Sequence, residues 1–129
     1  MLEVGLKLTQ TLVVTQELTA SHLGSGALPV YATPYMIAFM ENTARNCVQP
    51  HLEEGCGTVG TMVSVKHLSA SPIGMKITCE VVLTEVDRRR LVFEVKAFDD
   101  AGIIGEGTHE RFIIQNDKFM EKTNSKLVK

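Results

Sequence analysis

The order of apolar and polar positions divides the chain into a strand, a polar loop, one amphipathic helix and four further strands. Leu6 to Leu18 is rich in Thr, Val and Leu and reads as a strand. Thr19 to Ala32 holds Ser21, Gly24, Ser25, Gly26 and Pro29, a loop long enough to be either a functional lid or a mobile surface excursion. Thr33 then suits a helix N-cap and Pro34 the first helical position, where its missing N–H costs nothing. Met36, Ile37, Met40, Ala44, Cys47 and Val48 fall on one helical arc, and Pro50 ends the helix near Gln49, after a rod of roughly 24 Å.

Past the helix the period changes to two. Val59, Thr61, Val63, Val65 and His67 share one predicted strand face. Ile77, Cys79, Val81 and Leu83 alternate with polar positions in the next strand, as do Leu91, Phe93, Val95 and Ala97 in the third, and a last strand runs from about Ile103 to Ile114. Ser71-Pro72-Ile73-Gly74, Asp87-Arg88-Arg89 and Asp99-Asp100-Ala101-Gly102 are the turns. Turns this short make neighbouring strands antiparallel, and a lone helix with an apolar stripe must cover the apolar face of the sheet. Long strands twist, so the expected architecture is an α+β fold: a curled antiparallel five-stranded sheet wrapped around one long central helix, a single domain over residues 1–129.

Composition narrows the function. The 129 residues are 44% hydrophobic and 22% charged with a formal net charge of −2, which fits one well-cored domain and argues against a nucleic-acid partner. The absence of Trp leaves no base-stacking platform, and no apolar run is long enough to span a bilayer. Cys47, Cys56 and Cys79 are an odd, sparse set that reads as reduced thiols, and Met1 to Lys7 lacks the order of a signal peptide, so a cytoplasmic location is expected.

Three polar side chains stand where apolar ones are easier to explain. Thr33 projects from the apolar arc at the helix start, either as the cap or beside free N–H groups that attract anions. Glu41 lies on the arc's edge, and its bland explanation is an ion pair with Arg45 four residues on. His67 extends an inward strand face, where a histidine is most often a hydrogen-bonded core residue. Together a hydroxyl, a carboxylate and an imidazole are a parts list for acyl-transfer hydrolysis.

Other signals carry less. Gly55-Cys56-Gly57-Thr58-Val59-Gly60 matches G-x-G-x-x-G, but a helix precedes it and a strand follows, the reverse of a dinucleotide site. Cys47, His51 and Cys56 lack a fourth ligand and a C-x-x-C pair, so no metal is expected. Arg88-Arg89-Arg90 reads as a solvated hairpin tip, with phosphate binding the alternative. Gly105 and Gly107 suggest a bulge or a close approach, with His109 and Arg111 on the same face, read as an exposed or interface strand end. Lys118, Lys122, Lys126 and Lys129 form a spaced basic tail compatible with a short helix.

Val30-Tyr31-Ala32-Thr33, Met40-Glu41, Val59-Gly60-Thr61 running to His67, and Gly107-Thr108-His109-Glu110-Arg111 resemble the fluoroacetyl-CoA thioesterase-like branch of the hotdog superfamily, over about residues 5 to 125. The resemblance implies a hotdog fold and a homodimer binding acyl-CoA at the subunit interface, with no separate cofactor. It also implies Thr33, Glu41 and His67 as the catalytic threonine, glutamate and histidine, Gly60 near the thioester, and Arg111 as an active-site arginine. The fluoroacetyl-selective enzyme has an aromatic-rich loop before the threonine, whereas this chain has Gly24-Ser25-Gly26-Ala27-Leu28-Pro29, so the implied substrate is a short-chain acyl-CoA. A non-catalytic acyl-CoA-binding or regulatory module and an enoyl-CoA hydratase or dehydratase are the alternatives.

Overall fold

In the computed structural model, which describes residues 2–127, five strands form one antiparallel sheet in the order β1-β3-β4-β5-β2. They are β1 (Lys7–Val13), β2 (Cys56–His67), β3 (Lys76–Asp87), β4 (Arg90–Asp99) and β5 (Gly102–Gln115). The helices are a one-turn α1 (Ala20–Leu23), the central α2 (Thr33–Val48) and the exposed C-terminal α3 (Asn116–Asn124). This is the hotdog arrangement. α3 takes in Lys118 and Lys122 of the basic tail, whose Lys129 lies outside the described residues.

The core is what the two periodicities require. Met36, Met40, Ala44, Cys47 and Val48 of α2 pack on Ile77, Cys79, Val81 and Leu83 of β3 and on Leu91, Phe93, Val95 and Ala97 of β4. Ile37 is only half-buried, and the buried stripe extends instead at its other edge to Thr43, whose hydroxyl donates to the Phe39 carbonyl and accepts from Gln10 Nε2. Gln10 also bonds Asn42 and accepts from Asn46, so a polar latch fixes α2 over β1.

Two expectations about strands are corrected. The first strand stops at Val13 rather than running to Leu18, because Val13 pairs with Lys76, the first residue of β3, and Val14 beyond it bonds only to Met75 and Gly74 of the turn that leads into β3. Gln16–Leu18 turn instead into a single 3₁₀ turn. In β2, Val59 and Thr61 do not share the face of Val63, Val65 and His67. The ladder to β5 jumps from Gly60↔Arg111 to Met62↔Glu110, so Thr61 is an extra residue, a β-bulge. The bulge changes the phase: Thr58 and Gly60 before it and Val63, Val65 and His67 after it all face α2.

The segment from Thr19 to Ala32 is a tied excursion. Thr19 caps α1 by accepting from the His22 N–H at 3.2 Å, Gly24 ends it at φ 89°, and backbone bonds join Ala20 to Val30, Ser21 to Leu28 and Ala32 to Leu18. These bonds deliver the chain to the start of α2 in a fixed direction.

β1 and β2 are the sheet's edges. Gly60, Thr61, Met62, Ser64 and Lys66 of β2 are exposed along a twelve-residue edge. A long, uncovered edge of this kind is a template for pairing with another strand.

Candidate active site

Thr33 is not the helix cap. Ala32 occupies that position and makes no side-chain cap, while Thr33 is the first helical residue with Pro34 behind it. Its hydroxyl is therefore free to meet the imidazole of His67 from the far end of β2, with Oγ1 and Nδ1 2.8 Å apart. Tyr31, buried just before the helix, sets its ring edge-on to that imidazole at 6.4 Å. His67 is half-buried rather than a core residue, and its Nε2 is buried without a hydrogen-bond partner among the described residues. Burial lowers its pKa, which favours the neutral ring at pH 7. The pair lines an open cleft of ≈ 320 Å³ whose other walls include Ala20, Ser25, Val30 and Ala70. Most of these side chains are small.

Glu41 lies two turns along α2, about 12 Å from Thr33 along the axis. The expected ion pair with Arg45 does not form, because Arg45 turns to Asn46 Oδ1. Glu41 Oε2 instead faces Arg111 Nη1 at 3.9 Å, close enough for charge attraction and too far for a hydrogen bond. Gly60 lies over this gap: a Cβ there would stand 3.0 Å from Glu41 Oε2, 3.3 Å from His109 Cε1 and 3.4 Å from Arg111 Nη1. Only a residue without a side chain leaves the carboxylate room at that spot.

The strand end carrying His109 and Arg111 is buried, not exposed. His109 is 0% and Arg111 5% accessible. Arg111 donates from Nε to Thr58 Oγ1 at 2.7 Å, from Nη2 to the Thr58 carbonyl at 3.0 Å and from Nη1 to His109 Nε2 at 3.2 Å. Burial lowers the Arg111 pKa and the nearby Glu41 opposes that shift. The strand glycines serve close packing: a Cβ on Gly105 would lie 2.6 Å from Met36 Sδ, and one on Gly107 only 2.0 Å from the Ser64 carbonyl.

The chain therefore holds two separate clusters on the helix-facing side of β2, Thr33 with His67 and Glu41 with Gly60 and Arg111. Within the chain Glu41 bonds to neither Thr33 nor His67. Two residues hold Arg111: Thr58, which sequence reasoning missed, and His109, which it placed on the same face without assigning it that hold. The alternation that places Arg111 inward also places His109 inward, and that was the available signal. The remaining singled-out groups stay apart from both clusters. Arg88 pairs with its neighbour Asp87, and Arg90 pairs with Glu85 and Glu110. Among the described residues no cluster of His, Cys, Asp and Glu suits a metal, and no helix is long and apolar enough to cross a membrane.

Comparison with known proteins identifies the family. The family model described as fluoroacetyl-CoA-specific thioesterase matches residues 14–117. A fluoroacetyl-CoA thioesterase from Streptantibioticus cattleyicolor is 37% identical over 97% of this chain and 94% of its own length. A solved structure of a fluoroacetyl-CoA thioesterase superposes with a TM-score of 0.92 at 36% identity, covering 98% of each chain. A thioesterase superfamily member from Thermus thermophilus gives 0.87 at 30% identity, over 95% of this chain and 90% of that one. The chain belongs to the fluoroacetyl-CoA-specific thioesterase family and has its hotdog fold.

Proposed function

We propose that this protein hydrolyses a short-chain acyl-CoA thioester to the free acid and CoA, in a site completed between two copies of the chain. The observation that carries the reading is the arrangement of two incomplete clusters along one exposed sheet edge. A hydroxyl–imidazole pair stands at one end, and a carboxylate held beside a buried cation at the other. A relative of known structure was solved with fluoroacetate and CoA bound, which supports an acyl-CoA as the ligand class (TM-score 0.87, 37% identity, 92% of this chain and 99% of that one).

Antiparallel pairing of β2 with β2 of a second copy joins the clusters. With a two-fold axis at Ser64, Val65 lies opposite Val63 and Lys66 opposite Met62. Because Thr61 is bulged out, His67 then lies opposite Gly60 of the second copy. Every pair in this register keeps its side chains on matching faces. Thr33 and His67 of one copy thus approach Glu41, Gly60 and Arg111 of the other.

The chemistry needs no cofactor. A CoA thiolate, with a conjugate-acid pKa of roughly 8.5–10, leaves without strong acid assistance, so the demand is on attack at the carbonyl and on the charge its oxygen gains. Glu41 takes the proton from the attacking water, or attacks the carbonyl itself to give an anhydride that water then opens. Thr33, hydrogen-bonded to a neutral His67 at the positive end of α2, orients the acyl group and relays the proton. The three free cysteines among the described residues fit a reducing, cytoplasmic setting.

Thiol release from a panel of acyl-CoAs tests the reaction. Glu41→Ala should fold normally and lower turnover by at least about 10²-fold. No release from any member, with an acyl-CoA analogue still bound, would leave a binding module. Loss of an enoyl-CoA's conjugated absorbance would point to a hydratase instead. Oxidised Ser64→Cys should cross-link into a covalent dimer, and a monomer at micromolar concentration would refute the shared site.

A further inference from the structure

We infer that His109 is a positioning residue, a neutral imidazole locked in one tautomer that holds the Arg111 guanidinium where it faces Glu41. The inference rests on the role proposed above for Glu41 only in its kinetic consequence.

Its two nitrogens have unambiguous partners. Nδ1 lies 2.8 Å from the Met62 carbonyl, which can only accept, so Nδ1 carries the proton. Nε2 lies 3.2 Å from Arg111 Nη1, which can only donate, so Nε2 presents its lone pair. Both contacts demand the same neutral tautomer. The ring is stacked on Phe93 at 6.0 Å and is inaccessible to solvent, so it cannot turn over without losing both bonds. Met62 is the residue that follows the Thr61 bulge, so the same imidazole ties Arg111 to the irregular part of β2 that carries Gly60.

The effect on Arg111 follows from what the guanidinium bonds to. Its three hydrogen-bond acceptors are the Thr58 hydroxyl, the Thr58 carbonyl and His109 Nε2, all neutral. The charge is therefore fixed in place without being cancelled. Among the described residues the one carboxylate facing it is Glu41 on α2, and Arg45 is the other cation acting on it. A second proton on His109 would point an N–H at the guanidinium N–H and break the hold. Burial pushes His109 away from that state and the Arg111 charge adds to the effect, while Glu41 and the Met62 carbonyl oppose it.

Histidine ¹⁵N NMR of the wild-type protein between pH 5.5 and 8 reads the tautomer without requiring turnover. The expected spectrum for His109 is the neutral Nδ1–H form throughout. An Nε2–H form, or two protonated nitrogens at pH 6, would overturn the inference whether or not the protein hydrolyses thioesters. Kinetics test the consequence. His109→Gln keeps a donor for the Met62 carbonyl and an acceptor for Arg111, whereas His109→Leu keeps only bulk. Leu should lower kcat about tenfold or more, and Gln should restore most of it. A folded His109→Leu protein with wild-type kcat would overturn the positioning role. If Leu fails to fold, His109→Gln decides it: near-wild-type kcat is expected, and a folded Gln protein that has lost kcat would overturn the role.

Discussion

Gly60→Ala separates the site's geometry from the fold. Gly60 needs no unusual backbone, so alanine is allowed there and should gain about 0.4–1 kcal/mol by restricting the unfolded chain. The new methyl would lie 3.0 Å from Glu41 Oε2 and 3.4 Å from Arg111 Nη1, across a gap of 3.9 Å between those two atoms. Arg111 is 5% accessible and held by three hydrogen bonds, so it stays. Glu41 has a side chain 40% exposed, so it yields by a few tenths of an ångström or swings outward. A partly exposed ion pair at this distance is worth at most about 1 kcal/mol, so the gain and the loss nearly cancel and the melting temperature should move by no more than about 5 °C. Displacement by up to about 1 Å of the carboxylate proposed to react is a different matter and should lower kcat/KM by roughly 10- to 100-fold. Thiol release measured beside thermal unfolding reads both quantities. A folded Gly60→Ala protein with wild-type kcat/KM would show that the gap between Glu41 and Arg111 is no part of the site.

Thr33→Val should reduce kcat at least about tenfold while costing well under the ~1 kcal/mol expected of a lost helix cap, and Thr33→Ser should remain within a few-fold of wild type; a destabilised but fully active Val variant would restore the capping role. Stability should fall as pH drops from 7 to 5. His67 and His109 both have pKa values lowered by burial, so the unfolded chain, near 6.5, takes up protons first, and the stability present above that value is lost below it. Denaturation midpoints at pH 5, 6 and 7 check this, and the drop should be shallower in His67→Asn. In the folded protein a thiol reagent should modify Cys56 first and leave Cys47 and Cys79 unreacted, since burial raises both thiols, Cys79 to about 11; rapid modification of all three would contradict the packing of α2 on β3.

The architecture was legible because it depends on periodicity. The alternation in Ile77 to Leu83 and Leu91 to Ala97 and the helical arc from Met36 to Val48 are direct imprints of burial, and, Ile37 apart, they appear in the core as expected. Positions governed by tertiary pairing were less legible. Leu6 to Leu18 has strand-like composition throughout, but its last part has no partner strand. Thr33-Pro34 has the letters of a cap, yet the chain enters the helix one residue earlier, and that shift frees the hydroxyl for His67. The i to i+4 pairing of Glu41 with Arg45 was the cheapest local explanation. It loses to Arg111, which is seventy residues away in sequence and so invisible to any local rule.

The single irregularity at Thr61 explains most of what alternation alone gets wrong. Gly60 and His67 are seven positions apart, an odd interval, so a regular strand would turn one toward α2 and the other toward the outer face. A site needing both on the inside cannot be built on an unbroken β2. One extra residue between them restores the phase, with Thr61 turned out to bond the Glu110 side chain and carbonyl, while Met62 gives its carbonyl to His109. The bulge therefore does three things at once. It brings the glycine and the histidine to the same face, anchors the imidazole that holds Arg111, and shortens the strand's effective spacing so that the proposed two-fold at Ser64 would set His67 opposite Gly60 of a second copy. Each follows from adding one residue to one strand, which is why bulges at such places are retained although they cost ladder bonds.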